Sequence, residues 1–275
     1  MFLRKTAAAA LLAALAGWAG SAVAAPRNWQ IGMQQAASPV MARIEDFHNE
    51  LLTVIVAVCL FVAALLIWVM VRYNRRANPV PSRTHHSTAL EVAWTLLPVV
   101  ILVAIAIPSF RLLYFEAEIP KPDVTINAIG KQWFWTYEYP KDGGFQFDSS
   151  MLSDAAAAKA GEPRLLGVDH PAVVPVNKVV EIDTTGADVI HSWAVPAFGV
   201  KMDAIPGRIN RTWFKATKTG TYYGECSELC GANHAFMPIE VKVVDDAEYE
   251  AWLKAAKKKF AATDDPGAAR VAANN

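Results

Sequence analysis

The chemistry of this 275-residue chain is concentrated in one stretch, Cys226-Ser-Glu-Leu-Cys230-Gly-Ala-Asn-His234-Ala-Phe-Met237-Pro238. Two thiols, an imidazole and a thioether follow one another with the spacing Cys-x3-Cys-x3-His-x2-Met. A second imidazole, His191, stands 35 residues before Cys226 in Asp188-Val-Ile-His-Ser-Trp193. Sulfur and imidazole ligands in this mixture favour copper over harder metals. A mononuclear blue-copper site uses one thiolate, two imidazoles and a weak thioether, and this loop carries one thiolate more. Two bridging sulfurs can instead hold two copper ions close together, each keeping one histidine and one weak ligand. Such a centre has no open position for substrate and suits electron transfer. A Cys2His2 zinc site and a Cys226–Cys230 disulfide are the alternatives. Zinc leaves Met237 without a role.

The segments that must position these ligands read as strands. From Pro120 onwards short runs alternate between apolar and polar, with turn residues between them. They are 123–129, 133–139, 179–185, 188–195, 211–216, 221–224 and 237–244. In the last run Ile239, Val241 and Val243 alternate with Glu240 and Lys242, which predicts a half-buried strand. Seven strands with a ligand loop before the last predict an all-β Greek-key sandwich of cupredoxin type over 116–245. Period two puts Trp133, Trp135, Tyr137 and Tyr139 on one face, an aromatic stripe suited to a core. The Ala-rich 154–159 reads as a helical surface insertion. Residues 246–275 read as an amphipathic helix that ends in a disordered tail.

The N-terminal half has a different texture. Residues 1–25 carry Arg4 and Lys5, an apolar run, and Ala22-Val-Ala24, the layout of a cleaved secretory signal. Residues 26–115 hold an N-terminal segment and two apolar runs, which predict a transmembrane hairpin with helices at about 46–72 and 88–112. Between the runs Arg72, Arg75, Arg76 and Arg83 meet no acid before Glu91, so this loop faces the cytoplasm. Both ends of the hairpin, and the β-domain, then lie on the outer side of the membrane. Glu91 is either an acid favoured by a helix N-terminus or a mark of a proton path. Cys59 falls mid-helix and is no ligand.

Composition narrows the function classes. Zero net charge argues against nucleic acid as partner. No Cys-x-x-Cys-His occurs, so no c-type haem is expected in this chain. Residues 115–250 carry 20 Asp and Glu against 12 Lys and Arg, a net of −8 that would steer a cationic protein towards the domain. Glu138, Asp148, Asp169 and Asp188 are the candidate rim of such a docking surface.

Four blocks resemble a known family: Gly130-Lys-Gln-Trp-Phe-Trp-Thr-Tyr-Glu-Tyr-Pro140, His191-Ser-Trp-Ala-Val-Pro196, Lys201-Met-Asp-Ala-Ile-Pro-Gly-Arg208 and the Cys226–Pro238 loop. The family is subunit II of the haem–copper cytochrome c oxidases, in its CuA-containing bacterial aa3-type form. The resemblance implies a subunit of a proton-translocating oxidoreductase that takes electrons from cytochrome c and passes them to haem in subunit I, with subunit III as a further partner. It implies His191, Cys226, Glu228, Cys230, His234 and Met237 as ligands of two copper ions, Glu228 through its backbone carbonyl. It also implies that the Glu228 carboxylate reaches a magnesium ion shared with subunit I. Trp133 is implied as the point where electrons arrive, Glu91 as the mouth of a proton channel, and Asp203 and Arg208 as contacts to subunit I. Lys131 departs from the family, whose members often carry histidine there. The alternative from another class is a membrane-anchored copper chaperone or thiol–disulfide protein. That reading calls for a thioredoxin-like α/β pattern.

Overall fold

A computed structural model describes residues 22–24, 26–27 and 29–260. The expected signal, apart from Ala22–Ala24, and the expected disordered tail after Phe260 lie outside the described residues. The chain divides into two units: residues 42–118, and the residues up to Met41 taken together with those from Ile119 onwards.

The first unit holds two helices, α1 (Pro39–Arg72), whose first three residues belong to the other unit, and α2 (Thr88–Ala117). α1 starts ahead of the apolar run because Ser38 caps it. The Ser38 hydroxyl accepts the Met41 N–H at 3.0 Å, and Pro39 at the first position has no amide to satisfy. With 34 and 30 residues the helices reach about 51 and 45 Å, and both are long and apolar enough to cross a membrane. Leucine, isoleucine and valine side chains stand exposed all round them, the pattern of a helix whose solvent is lipid. Pro98 and Pro108 lie inside α2, where a soluble helix would rarely accept them. The Arg43 guanidinium sits 3.4 Å from the centroid of the Phe115 ring and ties the start of α1 to the end of α2.

The second unit is a two-sheet sandwich. Its strands are β1 (Ala22–Ala24), β2 (Val124–Lys131), β3 (Phe134–Tyr139), β4 (Phe145–Ser149), β5 (Ala172–Pro175), β6 (Val180–Gly186), β7 (His191–Val195), β8 (Val200–Ala204), β9 (Asn210–Phe214), β10 (Gly220–Cys226) and β11 (Pro238–Val244). One sheet runs β5-β11-β10-β7-β8, with β1 parallel to the start of β10, and the other runs β4-β3-β2-β6-β9. β1, β4, β5 and β8 were not foreseen, and β1 falls within the residues read as a signal. β5 is buried at every position and so gives no alternation, and β8 runs into the Pro206-Gly207 turn that dominates its segment. β3 begins one residue later than expected, which leaves Trp133 in the turn before it.

Alternation sends Trp135, Tyr137 and Tyr139 fully into the core. The two tyrosine hydroxyls find partners across the sandwich, as buried aromatic hydroxyls usually do, whereas the Trp135 indole nitrogen is buried without one among the described residues. The Trp193 indole donates to the Tyr137 hydroxyl at 3.2 Å, and the Tyr139 hydroxyl donates to the Val173 carbonyl at 2.9 Å while accepting the Val173 N–H at 3.0 Å. Phe198 stacks on Phe214 with centroids 4.3 Å apart. The Ala-rich segment forms α3 (Asp154–Ala160), capped by the Ser153 hydroxyl. α4 (Asp246–Lys259) lays Tyr249, Leu253 and Ala256 inwards, and Trp252 packs against Tyr139 and Phe145.

β11 is more buried than its alternation suggests. Glu240 is 1% exposed because residues 161–168 cover it: the Val168 N–H donates to its carboxylate at 3.0 Å. Lys242 pairs with Glu240 at 3.4 Å and with Glu162 at 3.8 Å, and Glu162 accepts the Tyr223 hydroxyl. Burial, with the Glu162 charge adding to it, raises the Glu240 pKa above the ordinary glutamate value, against the Val168 N–H and Lys242. A raised carboxylate supports the fold below its unfolded pKa and loses that support as pH climbs through the folded value. Glu240→Gln keeps the shape and an oxygen acceptor for Val168. Its melting temperature is expected to exceed the wild type's by a few degrees at pH 7, with the gap closing as the pH is lowered below 4.5. Thermal unfolding across that range checks the sign. A wild type that gains on the variant as pH rises would mean that Lys242 outweighs burial.

Candidate metal centre

The ligand loop is strung between two fixed points. β10 ends at Cys226, whose backbone pairs with Trp193 of β7, and β11 begins at Pro238. The Cys226 N–H donates to the Met237 carbonyl at 3.1 Å, which closes the loop at its base. The Ser227 N–H donates to the Ser192 carbonyl at 3.0 Å, which fastens the loop to the strand carrying His191. Sequence positions 35 apart thus meet because β7 and β10 are neighbours in the sheet.

The side chains converge accordingly. The two thiol sulfurs of Cys226 and Cys230 are 3.8 Å apart, far beyond the roughly 2.05 Å of a disulfide. His191 Nδ1 is 3.9 Å from the Cys226 sulfur, and His234 Nδ1 is 3.6 Å from the Cys230 sulfur. The ligand atoms of His191, Cys226 and Cys230 all lie within 4.8 Å of one another. Among the described residues theirs is the one such group, and all three are buried. The Glu228 carbonyl lies 3.3 Å from the Cys226 sulfur, while the residue itself is exposed. Met237 is buried at the base of the loop, and His234 is half-buried.

His191 is held by the group on its far side. Asp188 accepts its Nε2 at 2.8 Å, which turns Nδ1 towards the sulfurs, the arrangement by which a carboxylate fixes a metal-binding imidazole. Asp188 also accepts the main-chain N–H groups of Gln132 and Val189, at 2.7 Å each. Partial burial would raise its pKa, but the bonds from His191, Gln132 and Val189 outweigh this and hold it below the ordinary aspartate value. The two thiols are unequal. Burial works against ionisation at Cys226, yet His191 and the backbone of Ser192 and Glu228 bring it down to about 6. Burial, reinforced by the charge at Cys226, pushes Cys230 up to about 12. A metal binding here takes thiolates and so releases protons, and Cys226 is the thiol whose surroundings favour ionisation. Asp188→Asn keeps the size and removes the charge. The expected result is a metal affinity weaker by about 10–100-fold with stoichiometry unchanged, read by competition with a chelator. Equal affinity would reduce Asp188 to a spacer.

The donor set fits copper. It combines two close sulfurs, two Nδ1 imidazoles, a buried thioether and a carbonyl, which are soft and borderline groups in a preformed pocket. A magnesium ion takes several oxygen ligands, and of the ligand loop's side chains Glu228 offers the one carboxylate.

Trp133 joins this cluster directly. It is half-buried, and its indole donates to the Cys230 carbonyl at 3.2 Å. Gln132 and Gly130 were not singled out from the sequence. The Gln132 amide donates to the same carbonyl at 2.8 Å, and Gly130 lies flat against the His191 ring. Asp188, expected only on a docking rim, belongs to the site; its position three residues before His191 was the available signal. The other rim candidates are tied elsewhere: Glu138 to Asn127, Asp148 to Thr136, and Asp169 to the Ser150 N–H. Asp203 lies in β8, where its carbonyl accepts from Thr184 and Asn210, and Arg208 follows the Pro206-Gly207 turn. Glu91 lies in the helical unit, in the first turn of α2, 2.5 Å from His86 Nδ1. Cys59 is exposed on α1.

Comparison with known proteins agrees with this picture. The family described as cytochrome c oxidase subunit II, periplasmic domain, matches residues 124–244, and its transmembrane domain matches residues 26–112. A probable cytochrome c oxidase subunit 2 from Rickettsia bellii (strain RML369-C) is 47% identical over 249 residues, covering 90% of this chain and 91% of that protein. Cytochrome c oxidase subunit 2 of Cereibacter sphaeroides is 44% identical over 273 residues, covering 92% of this chain and 90% of its own. Among solved structures, the periplasmic domain of subunit II of cytochrome oxidase (CoxB) of Bradyrhizobium japonicum is 61% identical, with a TM-score of 0.49, covering 52% of this chain and 99% of that one. With both of its regions matched in order and nine-tenths of its length aligned to such relatives, the chain belongs to the cytochrome c oxidase subunit II family.

Proposed function

We propose that this chain is the subunit through which a haem–copper oxidase takes electrons from cytochrome c and delivers them to haem in subunit I, in a reaction coupled to proton translocation. One observation carries the reading: the half-buried Trp133 indole is hydrogen-bonded to the carbonyl of Cys230, whose sulfur lies 3.8 Å from that of Cys226 between two inward-facing imidazoles. His191, Cys226, Cys230, His234, Met237 and the Glu228 carbonyl would hold two copper ions. When bound, the copper pair supplies a one-electron couple whose charge both metals share. The chain's own work is to keep that site dry and rigid. His191, Cys226, Cys230 and Met237 are buried, and the loop is pinned by backbone bonds at Cys226 and Ser227. Trp133 offers a π-surface between solvent and the ligand loop.

The net charge of −8 over residues 115–250 supports a cationic partner. The arginines between the two helices support a cytoplasmic loop, and so a periplasmic copper domain on the bacterial inner membrane. Glu91 would admit protons to a channel of subunit I, and the Glu228 carboxylate would give one ligand to a magnesium ion completed by another chain. Subunit III is a further expected neighbour.

The test is to load the full-length chain with copper in detergent and measure bound metal and the paramagnetic resonance spectrum. Two coppers per chain, with hyperfine splitting from one equally shared electron, support the proposal. A single copper, or copper lost on reduction with Cys226 and Cys230 joining as a disulfide, would favour a copper chaperone. The β-sandwich already speaks against that reading, since its thioredoxin-like α/β pattern is not what the described residues form.

A further inference from the structure

We propose that Gln132 is a positioning residue for electron uptake, holding Cys230 with its side chain and Asp188 with its main chain so that one residue sets both halves of the ligand cluster. The assignment rests on the copper reading above and extends it to a residue outside the ligand set.

Three bonds converge on this residue and its neighbour. The Gln132 amide donates to the Cys230 carbonyl at 2.8 Å, and the Trp133 indole donates to the same oxygen at 3.2 Å. A carbonyl has two lone pairs, so these two donors saturate it. The Gln132 main-chain N–H donates to Asp188 at 2.7 Å, and Asp188 in turn holds His191 at 2.8 Å. Cys230 lies in the loop between β10 and β11 and His191 opens β7, and among the described residues no backbone bond is seen to join the two. Gln132 is bonded to Cys230 itself and, through Asp188, to His191.

Gly231 shows how tightly the arrangement is built. With φ at +118° it takes a backbone shape that suits glycine, and a Cβ there would stand 3.0 Å from the Gln132 amide nitrogen and 3.1 Å from the Trp133 ring. The chain beyond Cys230 is thus shaped to let both side chains lie against the carbonyl. Without Gln132 the carbonyl keeps only the longer indole bond. The indole loses its flanking partner, and the Cys230 peptide is free to turn. Displacements of about an ångström at such a point slow a positioned reaction by up to about a hundredfold.

The experiment uses the assembled oxidase and three variants. Q132M keeps the length and removes the donor, Q132K supplies a donor by another route, and Q132E places an acceptor against an acceptor. Copper content, paramagnetic spectrum and reduction potential are measured alongside electron uptake from reduced cytochrome c and from a small inorganic reductant. Hydrogen exchange of residues 130–133 and 227–231 is followed in the metal-free chain.

Q132M is expected to keep two coppers, shift the spectrum and potential, speed exchange in both segments, and slow uptake from cytochrome c about tenfold or more. Q132K is expected to return towards the wild type, and Q132E to depart at least as far as Q132M. If Q132M fails to assemble, the contrast between Q132K and Q132E answers the same question. A variant series that weakens only cytochrome c binding, with spectrum, potential and exchange unmoved, would make Gln132 a docking contact and overturn the assignment. A wild-type chain that holds no copper would overturn the reading beneath it instead.

Discussion

Replacing Cys226 with serine is expected to abolish the shared-electron copper signal and to stop electron uptake from cytochrome c, while the sandwich stays folded. The Cys226 sulfur is the hub of the cluster, in reach of the Cys230 sulfur at 3.8 Å, His191 Nδ1 at 3.9 Å and the Glu228 carbonyl at 3.3 Å. A serine oxygen is harder, ionises far less readily and reaches less far than sulfur, so it does not bridge two soft metals. At most one copper per chain should remain, held by Cys230 and His234. The fold has little reason to fail. The side chain is small, and the backbone bonds that pin the loop at Cys226 and Ser227 do not involve the sulfur. Cys59→Ser, exposed on α1, serves as the control with copper unchanged. Metal analysis, the resonance spectrum and thermal unfolding of the same preparation decide the matter. Two coppers retained by the Cys226 variant would remove the bridging role from this residue.

The ligand loop was legible because its chemistry is local. Cys226, Cys230, His234 and Met237 fall within one short segment, and their types alone restrict the metal. His191 was legible from its strand context, although only the pairing of β7 with β10 explains why it arrives beside Cys226. The helical pair was legible from length and apolarity. The parts that escaped are those set by packing between distant segments. β5 has no alternation to read because both of its faces are covered, and Glu240 looked solvent-facing until residues 161–168 closed over it. Gln132 and Gly130 carry no metal-binding chemistry, and their importance comes from what stands next to them in space. Asp188 lay between these cases. Its charge suggested a rim, whereas its three bonds, to His191, Gln132 and Val189, make it part of the site.

Gly130 gives the second large effect, because a single methyl group there tests whether His191 must stand where it does. Gly130 lies in β2, paired with Trp135 on one side and Gly186 on the other, so its strand cannot retreat without disturbing the sheet. Its backbone is ordinary for a strand, and alanine brings no conformational strain of its own. A Cβ at this position would nevertheless stand 2.7 Å from the His191 Cγ and Cδ2 and 2.8 Å from its Cβ, closer than real side chains approach. The ring has nowhere free to go. It is fully buried, Trp135 meets it edge-on with centroids 6.0 Å apart, and Asp188 holds its Nε2. Moving the imidazole away from the new methyl therefore disturbs the Asp188 bond, the approach to Cys226, or both. Gly130→Ala is expected to cost about 1–3 kcal/mol of stability through overpacking. It should weaken copper binding by about a hundredfold, on the scale seen when the support of a metal ligand is removed. The two losses separate in their signatures. Thermal unfolding of the metal-free chain reads the first, while chelator competition and the resonance spectrum read the second. A variant that is less stable but binds copper with unchanged affinity and spectrum would show that the ring adjusts without leaving its ligand position, and that Gly130 serves only the packing of the two sheets.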